Sequence, residues 1–464
     1  MHKLLVRLLV LLLAICLLNC LQASPAGRDL NDMLGTPAWL SITGEQRTRY
    51  EYLDNQFRIG RLGNDEITVL RTNLFTQLYF GHWQYGLEIM DSRQYGADDK
   101  TTLNTGTVNP IDVLQLYAQF NTPNLFDINS TSYLKVGRFT MDIGSRRLVS
   151  RNRFRNTINA FTGTEWKWAS EQDEIRRIFL TMPVQRLPFK RKQLKDNRSK
   201  GDEQDTNVLF WGGFYRFSKN AFGNNRAEIY YYGLSENDSH DRPTRNRHIQ
   251  TLGSRIFKTK SPGGYDYEIE GAYQFGNAHA TLFPSDTNKL DVSSYFLHAE
   301  VGYLYAKPWS PRLSLEFDYA SGDDDPTDDK YNRYDPLFDG ARRSDFGPTG
   351  IYGALARTNM ISPGLRLELK PKQNISGFIA HRGFWLASRK DAWVISGVRD
   401  PNGNSGRFVA QQTEARVRWD VIPSRLRLET GAAYLFKEEF AKDAPTANPQ
   451  GDSKYFYTQA TFKF

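Results

Sequence analysis

Arginines recur at every second residue in several segments, which places their side chains on one face of an extended strand. These arginines are Arg47, Arg49, Arg71, Arg312, Arg366, Arg416 and Arg418. A guanidinium group is planar and donates two parallel hydrogen bonds to a carboxylate. Such rows predict a surface that binds anionic groups at intervals. Each contact must stay weak if a bound chain is to move along the surface.

Acidic residues occupy the same alternating positions, so the predicted surface carries both signs of charge. They are Glu45, Glu51, Glu316, Asp318, Glu368, Glu414, Asp420 and Glu429. Two interpretations therefore stay open for each arginine. It either contacts a passing anion or pairs with a neighbouring acid of the same wall.

Three consecutive acids, Asp323, Asp324 and Asp325, are weak candidates for a metal site. Oxygen-rich loops bind calcium, but this spacing fits no EF-hand. A solvated or loop-gating role is favoured, and we predict neither a metal site nor a cofactor. A barrel hydrolase is an alternative of another class, with Ser294 and His298 on one strand, but no nucleophile motif surrounds them.

The elements that position these residues are strands with a period of two. In 312–319 the apolar residues Leu313, Leu315, Phe317 and Tyr319 alternate with polar ones. Eighteen such segments are predicted to begin near residues 39, 66, 84, 112, 131, 156, 174, 206, 226, 246, 264, 291, 311, 355, 374, 407, 424 and 454. The fold class is therefore all-β, and no apolar run after the first segment is long enough for a membrane-spanning helix.

The predicted connections alternate in length along the chain. Tight ones, such as 81–83, 371–372 and 423–424, alternate with long polar ones, such as 95–110, 187–205, 322–354 and 389–406. Transmembrane β-barrels have short turns at the periplasmic end and long extracellular loops. The pattern predicts an antiparallel barrel with apolar residues facing lipid and charged residues facing a wet lumen.

Both ends of the chain fit a bacterial outer-membrane location. Residues 1–26 have the layout of a cleaved secretion signal, which leaves 27–464 as the barrel. A lipoprotein signal with Cys20 as the lipidated residue is the alternative. The last segment ends at Phe464 with Phe462, Ala460 and Phe456 on one face. It resembles the terminal strand that the barrel-assembly machinery of outer-membrane proteins recognises.

Two stretches resemble the alginate-export family of outer-membrane porins. They are 136–157, which begins Val136-Gly-Arg-Phe, and 319–326, which reads Tyr-Ala-Ser-Gly-Asp-Asp-Asp-Pro. The resemblance implies a monomeric 18-stranded barrel, narrowed by inward-folded loops and lined with arginines, through which an anionic uronate polymer leaves the cell. It adds Arg138, Arg151 and Arg155 to the expected pore lining, and Arg357 lies at the mouth of the strand that bears Arg366.

One departure leaves the solute open. The alginate secretion porin of the family has a long periplasmic turn, whereas the corresponding connection at 423–424 is tight. Uptake of sugar acids or other small anions through an anion-selective porin remains an alternative, as does a purely structural barrel. The expected partners are an anionic polysaccharide or small anions, membrane lipid and lipopolysaccharide; no nucleic acid is expected. The basic stretch 186–200 is expected to face lipopolysaccharide.

Overall fold

The structure is a computed structural model that describes residues 30–238, 243–283, 285–339 and 345–464. The predicted signal segment 1–26, with Cys20, lies outside the described residues.

Eighteen long strands form one antiparallel sheet. They are β1 (Leu40–Asp54), β2 (Asp65–Phe80), β3 (Trp83–Tyr95), β4 (Asn109–Asn121), β5 (Thr131–Phe139), β6 (Phe161–Ala169), β7 (Ile175–Gln185), β9 (Val208–Arg216), β10 (Asn225–Glu236), β11 (His248–Lys258), β12 (Gly264–Ala278), β13 (Leu290–Leu304), β14 (Arg312–Ala320), β16 (Met360–Lys372), β17 (Ile375–Trp385), β18 (Phe408–Ile422), β19 (Leu426–Lys437) and β20 (Ser453–Lys463). Each pairs with its neighbour in this order, and β20 pairs with β1, which closes the sheet into a barrel.

The remaining regular elements are short and lie outside the eighteen strands of the wall. They are the two-residue strands β8 (Glu203–Gln204) and β15 (Lys330–Tyr331) and the helices α1 (Leu30–Leu34), α2 (Arg191–Lys195) and α3 (Glu439–Asp443). Within the described ranges, no helix has both the length and the apolar character needed to cross a bilayer.

The wall has an apolar outer face and a polar inner face, as β14 illustrates. Leu315 is 61% exposed on the outside, whereas Ser314, Glu316 and Asp318 are buried on the inside. Alternation of side chains across the strand produces the two faces. The predicted barrel of eighteen strands is confirmed.

Connections of different length lie at opposite ends of the barrel. One end has tight turns such as 81–82 and 373–374, and the other has long loops that include 140–160, 321–359 and 386–407. The long loops fold inward and form a buried core with the wall, in which Phe139, Phe161, Phe346, Tyr352 and Trp393 are almost fully buried. An eighteen-stranded barrel is wide enough for an aqueous channel unless something fills it. Here loops fill the long-loop half.

Candidate functional site

A cavity of about 2220 Å³ occupies the short-turn half of the barrel. Turn residues such as Asn374 and Ser424 lie at its rim, so it opens at this end. Among the described residues that line it, fourteen are Arg or Lys and ten are Asp or Glu. Seven of the predicted arginines are part of this lining: Arg47, Arg71, Arg151, Arg312, Arg366, Arg416 and Arg418. The predicted mixed-charge wall is present, with an excess of cations.

Arg47 and Arg71 hold the loop 140–160 inside the barrel. They lie directly opposite one another on β1 and β2, a position in which like charges repel. Both donate to the backbone carbonyl of Arg155, at 3.1 and 3.2 Å, and Arg47 also donates to the carbonyl of Arg153 at 2.5 Å. Arg71 is in addition 2.7 Å from Glu45. These two arginines are therefore largely engaged by the loop.

Arg49 extends the same contact along β1. Its guanidinium is 1% exposed, pairs with Glu51 at 2.8 Å and donates to the carbonyl of Phe154 at 2.5 Å. It also lies 4.0 Å from the centroid of the Phe154 ring. Three consecutive carbonyls, those of residues 153 to 155, thus accept hydrogen bonds from arginines of the wall. The guanidinium of Arg155 itself lies beside the Asn152 amide.

The other end of this loop is attached to a distant part of the wall. Arg147 is buried and forms ion pairs with Glu268 and Glu270 on β12, the latter at 2.6 Å. Arg151 pairs with Glu88 on β3 at 2.5 Å. The loop therefore spans the lumen between β12 and β1, as expected from the inward-folded loops that the family resemblance implies.

The loop 321–359 also lies inside the barrel. Arg357, which is 2% exposed, contacts Asp318 on β14 and Asp345 of the loop, both at 3.1 Å. Gln412 on β18 donates to the carbonyl of Phe346 at 3.1 Å. The two inward loops also contact each other, because Phe338 N donates to the Leu148 carbonyl at 2.9 Å. Arg357 is thus a structural link between the loop and the wall.

A phenylalanine separates two arginines on the cavity wall. The Phe378 ring centroid lies 4.3 Å from the guanidinium carbon of Arg366 and 4.7 Å from that of Arg416. Arg366 also pairs with Glu316 at 2.7 Å and with Glu414 at 3.5 Å. The guanidinium of Arg416 forms no ion pair or hydrogen bond with the described residues. Its position is stabilised by the ring rather than by an acid.

Two more guanidinium groups, those of Arg153 and Arg418, face the same cavity. Arg418 follows Arg416 on the inner face of β18 and pairs with Glu429, yet its side chain remains 35% exposed. Arg153, at the inner turn of the loop 140–160, is 72% exposed, and its contact with Asp142 is long, at 3.9 Å. Arg153, Arg416 and Arg418 therefore present donors to whatever occupies the cavity.

Arg138 lies apart from the other predicted residues. Its register partner on β4 is Leu116, which is 58% exposed on the outer face. Directly paired residues point to the same face of a sheet, so Arg138 belongs to the outer wall and the expected lumen-facing position is not found. It donates to the Val113 carbonyl at 2.9 Å and lies 3.4 Å from Asp112.

Asp202, in the loop after β7, contacts both Arg138 and Asp112. Its carbonyl accepts from Arg138 at 3.4 Å, and its backbone N–H donates to Asp112 at 3.2 Å. Burial, together with a hydrogen bond to the neighbouring carboxylate of Asp112 and that group's charge, raises the pKa of Asp202 to about 7.

The acids proposed as weak candidates for a metal site accept hydrogen bonds from residues of their own loop. Asp324 accepts from the Asn332 side chain at 3.1 Å, and Asp325 accepts from the Thr327 hydroxyl at 2.6 Å. Asp323 accepts from the backbone of Asn332 at 3.4 Å. In the part of the chain that the structure describes, no three His, Cys, Asp or Glu side chains are grouped as metal ligands.

Ser294 and His298, the residues of the alternative hydrolase site, do not lie on the outer wall. Ser294 and His298 are both buried on the inner face of β13. Ser294 donates to Gln274 at 3.2 Å, whereas His298 is 2.9 Å from Asp318 in the network that holds Arg357. Through Asp318 and Arg357, His298 therefore helps to attach the loop 321–359 to the wall.

Several residues of the site were missed by the sequence analysis. Arg147 and Arg153 lie inside the quoted motif but were not singled out, and no local pattern separates them from their neighbours. Arg382, which contacts Glu316 and Asp318, and Phe378 lie on the inner face of β17. Alternation along β17 would have placed both in the lumen.

Comparisons with known proteins agree with this geometry. A family model described as alginate export matches residues 38–450, whereas no curated protein matches significantly. The fold is similar to that of Pseudomonas aeruginosa OpdQ, at a TM-score of 0.57 and 12% identity, over 92% of this chain and 97% of that one. It is also similar to P. aeruginosa OccK8 (OprE), at a TM-score of 0.56 and 11% identity, over 92% and 98%.

A further similar structure is P. aeruginosa OpdK with vanillate, at a TM-score of 0.55 and 10% identity, over 91% of this chain and 99% of that one. The closed barrel and these comparisons identify an integral channel of the bacterial outer membrane. Its short turns accordingly face the periplasm and its long loops the exterior. The family match covers most of the sequence, and the chain therefore belongs to the alginate export family.

Proposed function

We propose that this channel conducts an anionic polysaccharide of the polyuronate class outward from the periplasm. The observation that carries the proposal is Arg416, a cavity arginine held by Phe378 and in no ion pair with the described residues. An arginine that already pairs with an acid gains little from a second carboxylate. The terminal amino groups of Arg416 are therefore left for the solute, and we expect them to bind a uronate carboxylate inside the cavity.

The surroundings of Arg416 favour a solute with repeated negative charges. Arg418 follows it along β18, and Arg153 reaches into the same cavity from the loop 140–160. Charges in a confined, partly dewatered channel are screened less than charges in bulk water. A polymer with one carboxylate per sugar would pass from one guanidinium to the next without a deep energy minimum.

The position of the cavity supports outward transport. It opens at the periplasmic end, where Lys258, Arg425 and Lys463 lie in its lining. A polyanion that approaches from the periplasm would meet these cations first and then Arg418 and Arg416.

Uptake of small carboxylates is a second candidate. The extracellular half of the barrel is filled by the loops 140–160 and 321–359, which favours a small solute over a polymer while these loops stay in place. OpdK, one of the similar structures, is known with vanillate, a monomeric carboxylate.

Block of current through single channels separates the two candidates. Oligomers of mannuronate or guluronate added on the periplasmic side should block small-anion current in the wild type. Arg416→Gln should weaken this block about tenfold, which corresponds to the loss of a charge-assisted hydrogen bond. Arg427→Gln is the matched control, because Arg427 lines the same cavity but pairs with Asp420 at 2.7 Å.

The outcome decides between the candidates as follows. Block by oligomers that depends on Arg416 supports the polyuronate proposal. Block by monomeric carboxylates with no response to oligomers contradicts it and supports uptake of small solutes.

A further inference from the structure

The extracellular loop between β7 and β9 carries a strongly basic surface. Residues 186–200 contain seven Arg and Lys and a single acid, Asp196. Three of the basic residues, Lys190, Lys192 and Arg198, are exposed and form no ion pair with the described residues. The neighbouring Phe189 is also 57% exposed. We refer to Phe189, Lys190, Lys192 and Arg198 as the basic rim.

The base of this loop is attached both to the wall and to the inward loop 140–160, because Arg186 donates to the Asn159 side chain at 2.9 Å. Asp202 accepts from the Leu187 backbone at 2.8 Å, which brings the two ends of the excursion 188–201 together. Asp202 also contacts Arg138, which belongs to the outer face of β5. On that face Val136 lies two residues below Arg138 and is 50% exposed. Since a strand rises about 3.3 Å per residue, Arg138, which the loop contacts, lies about 7 Å along the strand from the lipid-facing Val136.

The far end of the loop is held by a second loop. Arg191 donates to the Thr101 carbonyl at 2.8 Å, and Lys195 pairs with Asp99 at 2.7 Å. Ser199 donates to the Pro110 carbonyl at 3.0 Å. The basic rim is therefore carried by an attached segment, so little order is lost when a ligand binds to it.

We propose that the basic rim binds the phosphate groups of a phosphorylated glycolipid in the outer leaflet around the barrel. The cations are carried by an extracellular loop whose base contacts Arg138 at the end of the wall, and the headgroups of the outer leaflet meet water at this end of the barrel. Each Lys or Arg near an anionic membrane surface contributes attraction that accumulates over the cluster. Phe189 supplies an apolar contact at the boundary of headgroup and acyl chain. This surface is separate from the cavity and does not depend on the solute that the channel conducts.

Binding of purified lipopolysaccharide to the detergent-purified barrel tests this proposal. The test variant combines Lys190→Gln, Lys192→Gln and Arg198→Gln. The control variant combines Lys289→Gln, Lys330→Gln and Arg389→Gln, three basic residues that lie on other extracellular loops. A heat-dependent shift in gel mobility verifies that both variants are folded.

The test variant should bind lipopolysaccharide at least about tenfold more weakly than the wild type, and the control should not change. Lipopolysaccharide stripped of its phosphates should bind the wild type about as weakly as intact lipopolysaccharide binds the test variant. Equal binding by the wild type and the test variant would overturn the proposal, as would equal loss in the control. Displacement of lipopolysaccharide by inorganic phosphate or by soluble uronate oligomers at similar concentrations would also overturn it, because the surface would then recognise a soluble anion.

Discussion

Arg47 on β1 donates a 2.5 Å hydrogen bond to the backbone carbonyl of Arg153, 106 residues away in the chain. A wall arginine of this channel thus holds the loop that narrows the lumen. Because the acceptor is a neutral carbonyl, the bond leaves the positive charge of Arg47 in place behind the loop. Attachment of the loop and the positive field of the channel therefore depend on the same residue.

Replacement of Arg47 by methionine should release the loop 140–160 from β1. The substitution removes three hydrogen bonds, to Arg153, Arg155 and Asn156, and each bond to a charged donor contributes about 1.5–3 kcal/mol. Single-channel conductance should rise and fluctuate more. Arg427→Met is the control, because Arg427 lines the same cavity and pairs with Asp420 rather than with this loop. Equal conductance in wild type and Arg47→Met would show that this contact does not set the constriction.

Closure of the barrel should depend on a glycine opposite the last residue. Phe464 N donates to the Gly44 carbonyl at 3.1 Å, and a Cβ at Gly44 would lie 2.2 Å from the Phe464 ring. Gly44→Val should therefore displace the ring and reduce the fraction of heat-modifiable barrel in the membrane. Gly213→Val, on β9, is the control, since the nearest neighbour of a Cβ there lies at 3.9 Å. Normal assembly of Gly44→Val would contradict the claim that packing of the Phe464 ring against Gly44 is needed for closure of the barrel.

The wall of this barrel was largely predictable from sequence because each strand encodes its own two faces. Leu313, Leu315 and Phe317 alternate with inward polar residues over a few positions, and no distant contact is needed to detect this. The largest errors in strand starts were at 156 and 355, where the strands begin at Phe161 and Met360. Both strands follow inward loops whose last residues are mostly buried, so no exposed segment marks the start of the strand.

The contacts inside the lumen could not be predicted in the same way. Arg47, Arg71 and Arg416 occupy equivalent alternating positions, yet two of them hold a loop and the third faces the cavity. The difference depends on where a loop more than eighty residues away along the chain comes to lie. The outward position of Arg138 likewise depends on the register between β4 and β5.

Attachment of the loop 186–207 should weaken as pH rises. The pKa of Asp202 is raised to about 7 in the attached loop from an ordinary value of 3.8, so attachment favours the protonated acid. Stability of the attached loop should fall between pH 4 and pH 7 and then level off, as the two carboxylates come to carry like charges. Hydrogen exchange should show more protection of 187–202 at pH 5 than at pH 8. Asp202→Asn should remove this difference; a pH dependence retained in the variant would assign it to another group.

Charge selectivity of the open channel tests the central claim, that cavity arginines without full compensation set the solute class. In a salt gradient across a planar bilayer, the wild type should give a reversal potential of the sign expected for anion preference, more strongly at low ionic strength. Replacement of Arg153, Arg416 and Arg418 by glutamate should reverse that sign and abolish block by uronate oligomers. A wild-type channel that prefers cations would contradict the account.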